Sequence, residues 1–320
     1  MGLVMGQNKF FATLFLALGV CIFGGVSEAS SKNLPICYVP GAGGVSEDVL
    51  KRFPKELAQR GIQFIIFDIG NVGTVVERAS KLARLLEVEV NKNESFRCHF
   101  FAYSMGGVVS RYFYNHSELL LKSGKRLDGR SLMASLTTYS SPHRGTPLAD
   151  WLLRYAPKYA AGMGDLSEER IQIYNDPAYP ETYSPTPSSI PVYSYLTYLE
   201  KAEESNEFLG KFGFKIIWET YKSRKIDPRN DGIVPQISQA LGKVVMSIRA
   251  PHGFFSSDLG LRPWAPDVYE LQYHTLNGSL SEMAQKGRLE ALLSAPHVST
   301  EGLESLLNLN LGVPSSHGQH

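Results

Sequence analysis

The 320-residue chain reads as an α/β protein built on a mostly parallel sheet with helices on both faces. Three observations predict this. Short, continuously apolar runs recur from residue 36 onward, and such runs belong to strands buried on both faces. Segments with apolar spacing of three to four residues separate them, the mark of amphipathic helices. Gly-rich turns close the first and third runs, where a parallel sheet passes chain from a strand to a helix.

In order, Ile36 to Val39 is the first strand and ends in Pro40-Gly41-Ala42-Gly43-Gly44. Val49, Phe53 and Leu57 then mark a helix face, interrupted or restarted at Pro54. Phe64 to Phe67 is the second strand. Val75, Ala79, Leu82, Leu86 and Val90 form the clearest amphipathic helix. The third strand starts at Cys98 and runs through Ala102, and a helix opens at Met105. Leu132 to Tyr139, Ile190 to Leu196 and Lys243 to Ile248 are the fourth, fifth and sixth strands. The alternation breaks between residues 151 and 189, a Pro-, Tyr- and Ser-rich stretch read as a cap or lid inserted over the sheet. Trp151, Tyr155 and Tyr159 share one face there at a spacing of four, either packing on the core or covering a substrate cleft. Residues from 278 onward read as terminal helices, with a loose tail at 312–320.

Residues 1–29 read as a secretory signal, the alternative being a short membrane anchor. Lys9 precedes an apolar run from Phe10 to Val26, and Ser27-Glu28-Ala29 gives a small-x-small exit. The predicted location is therefore secreted or periplasmic, with residues 30–320 as one catalytic-size domain. The composition is 43% hydrophobic and 20% charged, which excludes disorder. With 32 Lys+Arg against 31 Asp+Glu, bulk attraction to nucleic acid is not written into the chain. Three cysteines are too few for a disulfide framework or a four-Cys zinc site. After signal removal only Cys37 and Cys98 remain. We read them as small buried thiols, the alternative being a bridge in an oxidising compartment. No closely spaced His/Asp/Glu cluster suggests a metal, and no cofactor is expected.

The chemistry starts at Ala102-Tyr103-Ser104-Met105-Gly106-Gly107. A serine between a buried strand and a helix, flanked by small residues two before and two after, has the context of a nucleophile elbow. The helix N-terminus aims amide N–H groups and the positive end of its dipole at a reacting carbonyl. The glycine-rich turn after the first strand is where the second backbone donor belongs. We assign the oxyanion donors as the N–H groups of Ala42 and Met105. A phosphate loop is the rival, but the Gly-Lys-Ser/Thr ending is missing.

The chain order on such a scaffold is Ser, then Asp or Glu, then His. Asn230-Asp231-Gly232 supplies Asp231 on a turn after the fifth strand, and Pro251-His252-Gly253 supplies His252 after the sixth. Asp227 and Asp258 compete less well. His99 falls inside a strand, His116 ends a helix and His143 precedes every candidate acid. Ser104 is thus the nucleophile, His252 the general base and acid, and Asp231 the group that orients the imidazole.

Taken together, these segments resemble the bacterial family I triacylglycerol lipases of the α/β-hydrolase superfamily. The likeness is carried by Tyr38-Val39-Pro40-Gly41, the elbow, Ser141-Pro142-His143-Arg144-Gly145-Thr146-Pro147 with Asp150, Asp165-Leu166-Ser167, Tyr174-Asn175, Asn230-Asp231-Gly232 and Pro251-His252-Gly253. It implies the α/β-hydrolase fold and hydrolysis of a carboxylic ester, with a lipid or other acyl ester as partner at a lipid–water interface. Family members usually carry His-Gly where this chain has Pro40-Gly41. Calcium-binding relatives place an aspartate where this chain has Phe254, so the resemblance carries no calcium site over to this chain. Some relatives need a folding chaperone. The same scaffold serves short-chain carboxylesterases, thioesterases and acyltransferases, and a non-catalytic lipid-binding protein is the remaining alternative.

Overall fold

The computed structural model describes residues 34–120, 128–160, 162–205, 207–261 and 263–299. The segment read as a secretory signal, and the tail from residue 300, lie outside the described residues.

Seven strands form one sheet: β1 (Ile36–Val39), β2 (Phe64–Ile66), β3 (Cys98–Tyr103), β4 (Met133–Tyr139), β5 (Val192–Tyr198), β6 (Lys243–Arg249) and β7 (Val298–Ser299). Their spatial order is β2-β1-β3-β4-β5-β6-β7. The first six are parallel, and β7 pairs antiparallel with β6. The sixth strand is therefore not the last. A two-residue strand carries too short a period to be read from sequence.

Alternation along the strands divides the core into two layers. Cys37, Val39, Cys98, Phe100 and Ala102 face one side, with the helices α2 (Val75–Lys92) and α3 (Met105–Leu120). Ile36, Tyr38, Phe101 and Tyr103 face the other, with α1 (Phe53–Gln59), α6 (Ala265–Leu276), α7 (Leu280–Gln285) and α8 (Arg288–Leu293). Two further helices, α4 (Pro147–Tyr155) and α5 (Phe208–Ser223), pack against each other around Leu148, Leu152 and Ile217.

Local chemistry explains the main elements. Thr74 and Glu77 make a reciprocal capping box that starts α2. Pro54 stands at the second position of α1 and does not break it, because the amide it lacks would have had no intrahelical partner. The preceding residues Asp48–Arg52 wind as one π-type turn. In α3 the backbone leaves helical geometry at His116 (φ −126°), yet helix continues to Leu120.

Three expectations need correction. Cys37 and Cys98 are joined in a disulfide between β1 and β3, with Cα atoms 5.9 Å apart, instead of standing as free thiols. Trp151, Tyr155 and Tyr159 do not share a helix. α4 stops at Tyr155, since Pro157 disfavours helical geometry at Ala156, and residues Pro157–Tyr159 form a separate 3-10 turn. The Asp231 turn does not follow β5 directly, because the 16-residue α5 intervenes. Within the 151–189 stretch, Leu166, Ile171 and Tyr174 are buried in the core on the α2–α3 side. Asp165 fixes them there by accepting from Val75 N at 2.8 Å and from the Tyr174 hydroxyl at 3.1 Å.

Candidate active site

Ser104 stands between β3 and α3 with φ +53°, a left-handed conformation that few residues with a side chain adopt. Its neighbours make this bend possible. A Cβ on Gly106 would strike the carbonyl oxygen of Val39 and lie 2.7 Å from that of Pro40, while one on Gly107 would run into the Ser141 side chain. The helix can then start hard against the end of β1. Ser104 N donates to Tyr139 O at 2.8 Å, which pins the turn to β4.

The structure brings the three sequence-assigned side chains together. Ser104 Oγ lies 2.9 Å from His252 Nε2, and His252 Nδ1 lies 2.8 Å from Asp231 Oδ2. The tautomer that satisfies both contacts has its proton on Nδ1, leaving Nε2 to accept from the serine hydroxyl. Asp231 has a fully buried side chain and His252 a slightly exposed one. His252 starts a 3-10 turn at the C-terminal end of β6, and its backbone N–H donates to Asp231 O at 3.0 Å. The competing residues stay apart. His99 is buried in β3 against Ser135, and Asp258 bonds Arg52. Asp227 pairs with Arg229.

Donors converge on the Asp231 carboxylate from four directions besides the imidazole. Oδ1 accepts from Ile233 N (3.0 Å) and Val234 N (2.8 Å). Oδ2 accepts from Thr197 Oγ1 (2.8 Å) and Gln239 Nε2 (3.2 Å). Gln239 also accepts from Thr197 N at 2.8 Å, so β5 and the turn after Pro235 hold each other. A buried carboxylate satisfied in this way has one orientation, and the imidazole inherits it. Tyr103 adds a further brace, its hydroxyl donating to His252 O at 3.0 Å.

Gly41 packs directly on Ser104: a Cβ there would lie 2.8 Å from Ser104 Cβ. This puts the Ala42 peptide beside Ser104, across from Met105 at the first position of α3, where amides have no intrahelical partner. Arg78 of α2 reaches both. Its guanidinium donates to Gly41 O at 3.0 Å, Ala42 O at 3.2 Å and Gly70 O, and meets Met105 Sδ at 3.4 Å. In a trans peptide the N–H points opposite to the C=O. Holding Gly41 O toward Arg78 therefore turns Ala42 N–H away from it. Burial lowers the Arg78 pKa to about 10, opposed by the charge of Asp68, and the group stays cationic at neutral pH.

Arg78, Thr197, Gln239 and Tyr103 were not among the residues assigned from sequence. Only Arg78 carried a signal: it lies on the buried stripe of α2, between Val75 and Ala79, where a charged residue needs a reason.

Two surface features flank the site. A recess of about 20 Å³, room for about one water molecule, lies beside His252 and is lined by Ser205, Glu207, Gly210, Ile233, Pro251 and Leu259, among others. An aromatic surface runs across α4 and α5. Trp151 packs on Phe212 (4.7 Å between ring centroids) and Tyr155 (5.3 Å), and Phe208 stacks on Phe212 while remaining 83% exposed. Among the described residues no group of His, Cys, Asp or Glu could hold a metal ion, and no helix is long and apolar enough to cross a membrane.

Comparison with known proteins gives the following. No protein-family model matches the chain. Triacylglycerol lipase 2 of Saccharomyces cerevisiae is 33% identical over 103 residues, which is 31% of this chain and 29% of that protein. The chain thus matches less than a third of that relative's length. Similar solved structures include lipase BlEst2 of Bacillus licheniformis in its mature form (TM-score 0.53, 16% identity, 72% of this chain and 89% of that one). EstA of Clostridium botulinum has a TM-score of 0.54 and 16% identity, over 79% of this chain and 89% of that one. A metagenomic carboxyl esterase, MGS0156, has a TM-score of 0.52 and 15% identity, over 84% of this chain and 79% of that one. The chain has the α/β-hydrolase fold.

Proposed function

We propose that the protein is an exported carboxylic-ester hydrolase of the lipase and esterase kind, and within that kind a triacylglycerol lipase. The observation that carries this is the unbroken chain Ser104–His252–Asp231, with its serine on a left-handed turn at a helix start.

The chemistry follows from the contacts. As Ser104 Oγ attacks the ester carbonyl, its proton passes to His252 Nε2. Asp231 holds the imidazole and stabilises the imidazolium. The developing oxyanion lies toward the N–H groups of Ala42 and Met105. Collapse breaks the acyl–oxygen bond, and His252 returns the proton to the leaving alcohol. Water, deprotonated by the same imidazole, then releases the acid from Ser104.

The lipase reading is supported by the yeast relative's name over the matched third of the chain. The exposed aromatic surface beside the site also supports it, as a contact for a lipid–water interface. The same fold also carries a second reading, an esterase for short soluble esters. The test is a panel of soluble esters of increasing acyl length beside emulsified triglyceride, on wild type and Ser104→Ala. Loss of roughly three orders of magnitude or more in the variant is expected. A variant that keeps wild-type activity refutes the assignment of Ser104. Preference for the emulsion supports the lipase, and turnover confined to short soluble esters replaces it with the esterase.

A further inference from the structure

Two consecutive peptides of the turn after Asp231 grip its carboxylate. Ile233 N and Val234 N both donate to Asp231 Oδ1, at 3.0 and 2.8 Å. The carbonyl oxygens of those two peptides are Gly232 O and Ile233 O. In a trans peptide the C=O points opposite to the N–H, so whatever holds each oxygen aims the matching donor. Gly232 O rests against α5, where a Cβ on Gly213 would run into it. Ile233 O is held by a hydrogen bond instead: the Thr146 hydroxyl, 87 residues away in sequence, donates to it at 2.5 Å.

Thr146 is itself fixed. It is buried, its backbone N–H donates to Leu166 O at 2.8 Å, and its hydroxyl oxygen accepts from Leu148 N at 3.3 Å as the cap of α4. The loop before it is clamped by Ser238, in the turn after Pro235. The Ser238 hydroxyl accepts from Arg144 N at 3.0 Å and donates to Gly145 O at 2.7 Å, and Ser238 O accepts from His143 N at 2.9 Å. Buried hydrogen bonds in series polarise one another. A donor on Ile233 O therefore strengthens Val234 N–H as a donor to the carboxylate, besides aiming it. The segment from Ser141 to Pro147 is thereby joined to the frame that holds Asp231.

We propose that Thr146 is a positioning residue for the hydrolysis: through the Ile233–Val234 peptide it fixes the Asp231 carboxylate, and with it the His252 imidazole, in the direction that proton transfer from Ser104 requires. The proposal rests on the ester-hydrolase reading above. Thr146 keeps its own hydroxyl proton throughout, and the proton that moves is the one passed from Ser104 to His252. Disabling the aspartate of such a triad costs about 10⁴ in kcat. Thr146 acts through one of the five contacts to the carboxylate and leaves the other four in place, so its loss should cost about tenfold.

The test is T146V, which keeps the shape of the side chain without the hydroxyl, beside T146S, which keeps the hydroxyl without the methyl group. With the full chain and a soluble ester, T146V should lower kcat by about tenfold with KM within about twofold, since the aimed imidazole acts in the transition state. T146S should return kcat to within about twofold of wild type. The proton between His252 Nδ1 and Asp231 gives a second readout that needs no substrate. Its far-downfield NMR resonance should move in T146V and return in T146S. Urea midpoints verify folding, and T146A takes the place of T146V if the valine variant does not fold. Wild-type kcat in the folded variant, a loss carried by KM, a loss that T146S does not recover, or a resonance that stays in place overturns the proposal. Wild type that hydrolyses no ester of the acyl panel overturns the hydrolase reading instead, and the proposal with it.

Discussion

Replacing Arg78 by methionine removes the guanidinium that holds Gly41 O, Ala42 O and Gly70 O while keeping much of the side-chain volume. Hydrogen bonds from a charged donor contribute about 1.5–3 kcal/mol each. Against their sum stands the desolvation of a buried cation, several kcal/mol, so a net loss of about 2 kcal/mol in stability is expected. The larger effect falls on catalysis. The Gly41 carbonyl keeps its bond from Gly44 N at 3.1 Å, but the peptide loses the fixed direction of its Ala42 N–H. Loss of one oxyanion donor costs about 10²–10³ in kcat, and with partial retention of the turn we expect about 10². KM should change by less than about threefold, since the donor acts in the transition state. The R78K variant keeps the charge but not the fork, and should recover only part of the rate. The assay is steady-state hydrolysis of a soluble ester across pH, with urea unfolding to verify folding. The shape of the pH profile should be unchanged, because Asp231 and His252 are untouched. Folded R78M with kcat within about threefold of wild type would refute the positioning role.

Further outcomes follow from the same contacts. G106A drives a methyl group into the Val39 and Pro40 carbonyls and should destabilise by about 1–3 kcal/mol; an unchanged urea midpoint would contradict the close approach of α3 to β1. The Cys37–Cys98 bridge closes a loop of sequence separation 61, so C37A/C98A should lower the unfolding free energy by up to about 4 kcal/mol, measured by denaturant titration against the oxidised wild type. Burial holds His99 down to about 4 and pushes His143 well below its ordinary value, with Arg111 and Arg144 adding to the latter. Both values lie below the unfolded value of about 6.5, so the unfolded chain takes up protons first. Stability should be level above about pH 7 and fall as the pH drops toward 4, with His99 accounting for up to about 3 kcal/mol; urea midpoints that stay constant from about pH 7 to 5 would count against this.

The order of strands along the chain, the strand-to-helix turn at Ser104 and the three side chains that converge there were legible in the linear sequence, because each rests on a local rule. A strand buried on both faces is apolar throughout, a sharp strand-to-helix turn needs small neighbours, and a catalytic histidine of this fold follows a strand end. Local rules fix residue types at short spacing, and the first six strands and Ser104, Asp231 and His252 fall within their reach. The remainder required the chain to be folded. Thr197 and Gln239 meet Asp231 from segments 34 and 8 residues away, and nothing local marks either as its partner. The bridge between Cys37 and Cys98 depends on β1 lying beside β3, a neighbourhood set by sheet order. The end of α4 at Tyr155 was signalled by Pro157, but the aromatic spacing of four overrode that signal in the sequence reading. Arg78 shows the boundary most sharply. Its place on an apolar helix face is written in the sequence, whereas the carbonyls that justify a buried cation arrive only when α2 packs against the turn after β1.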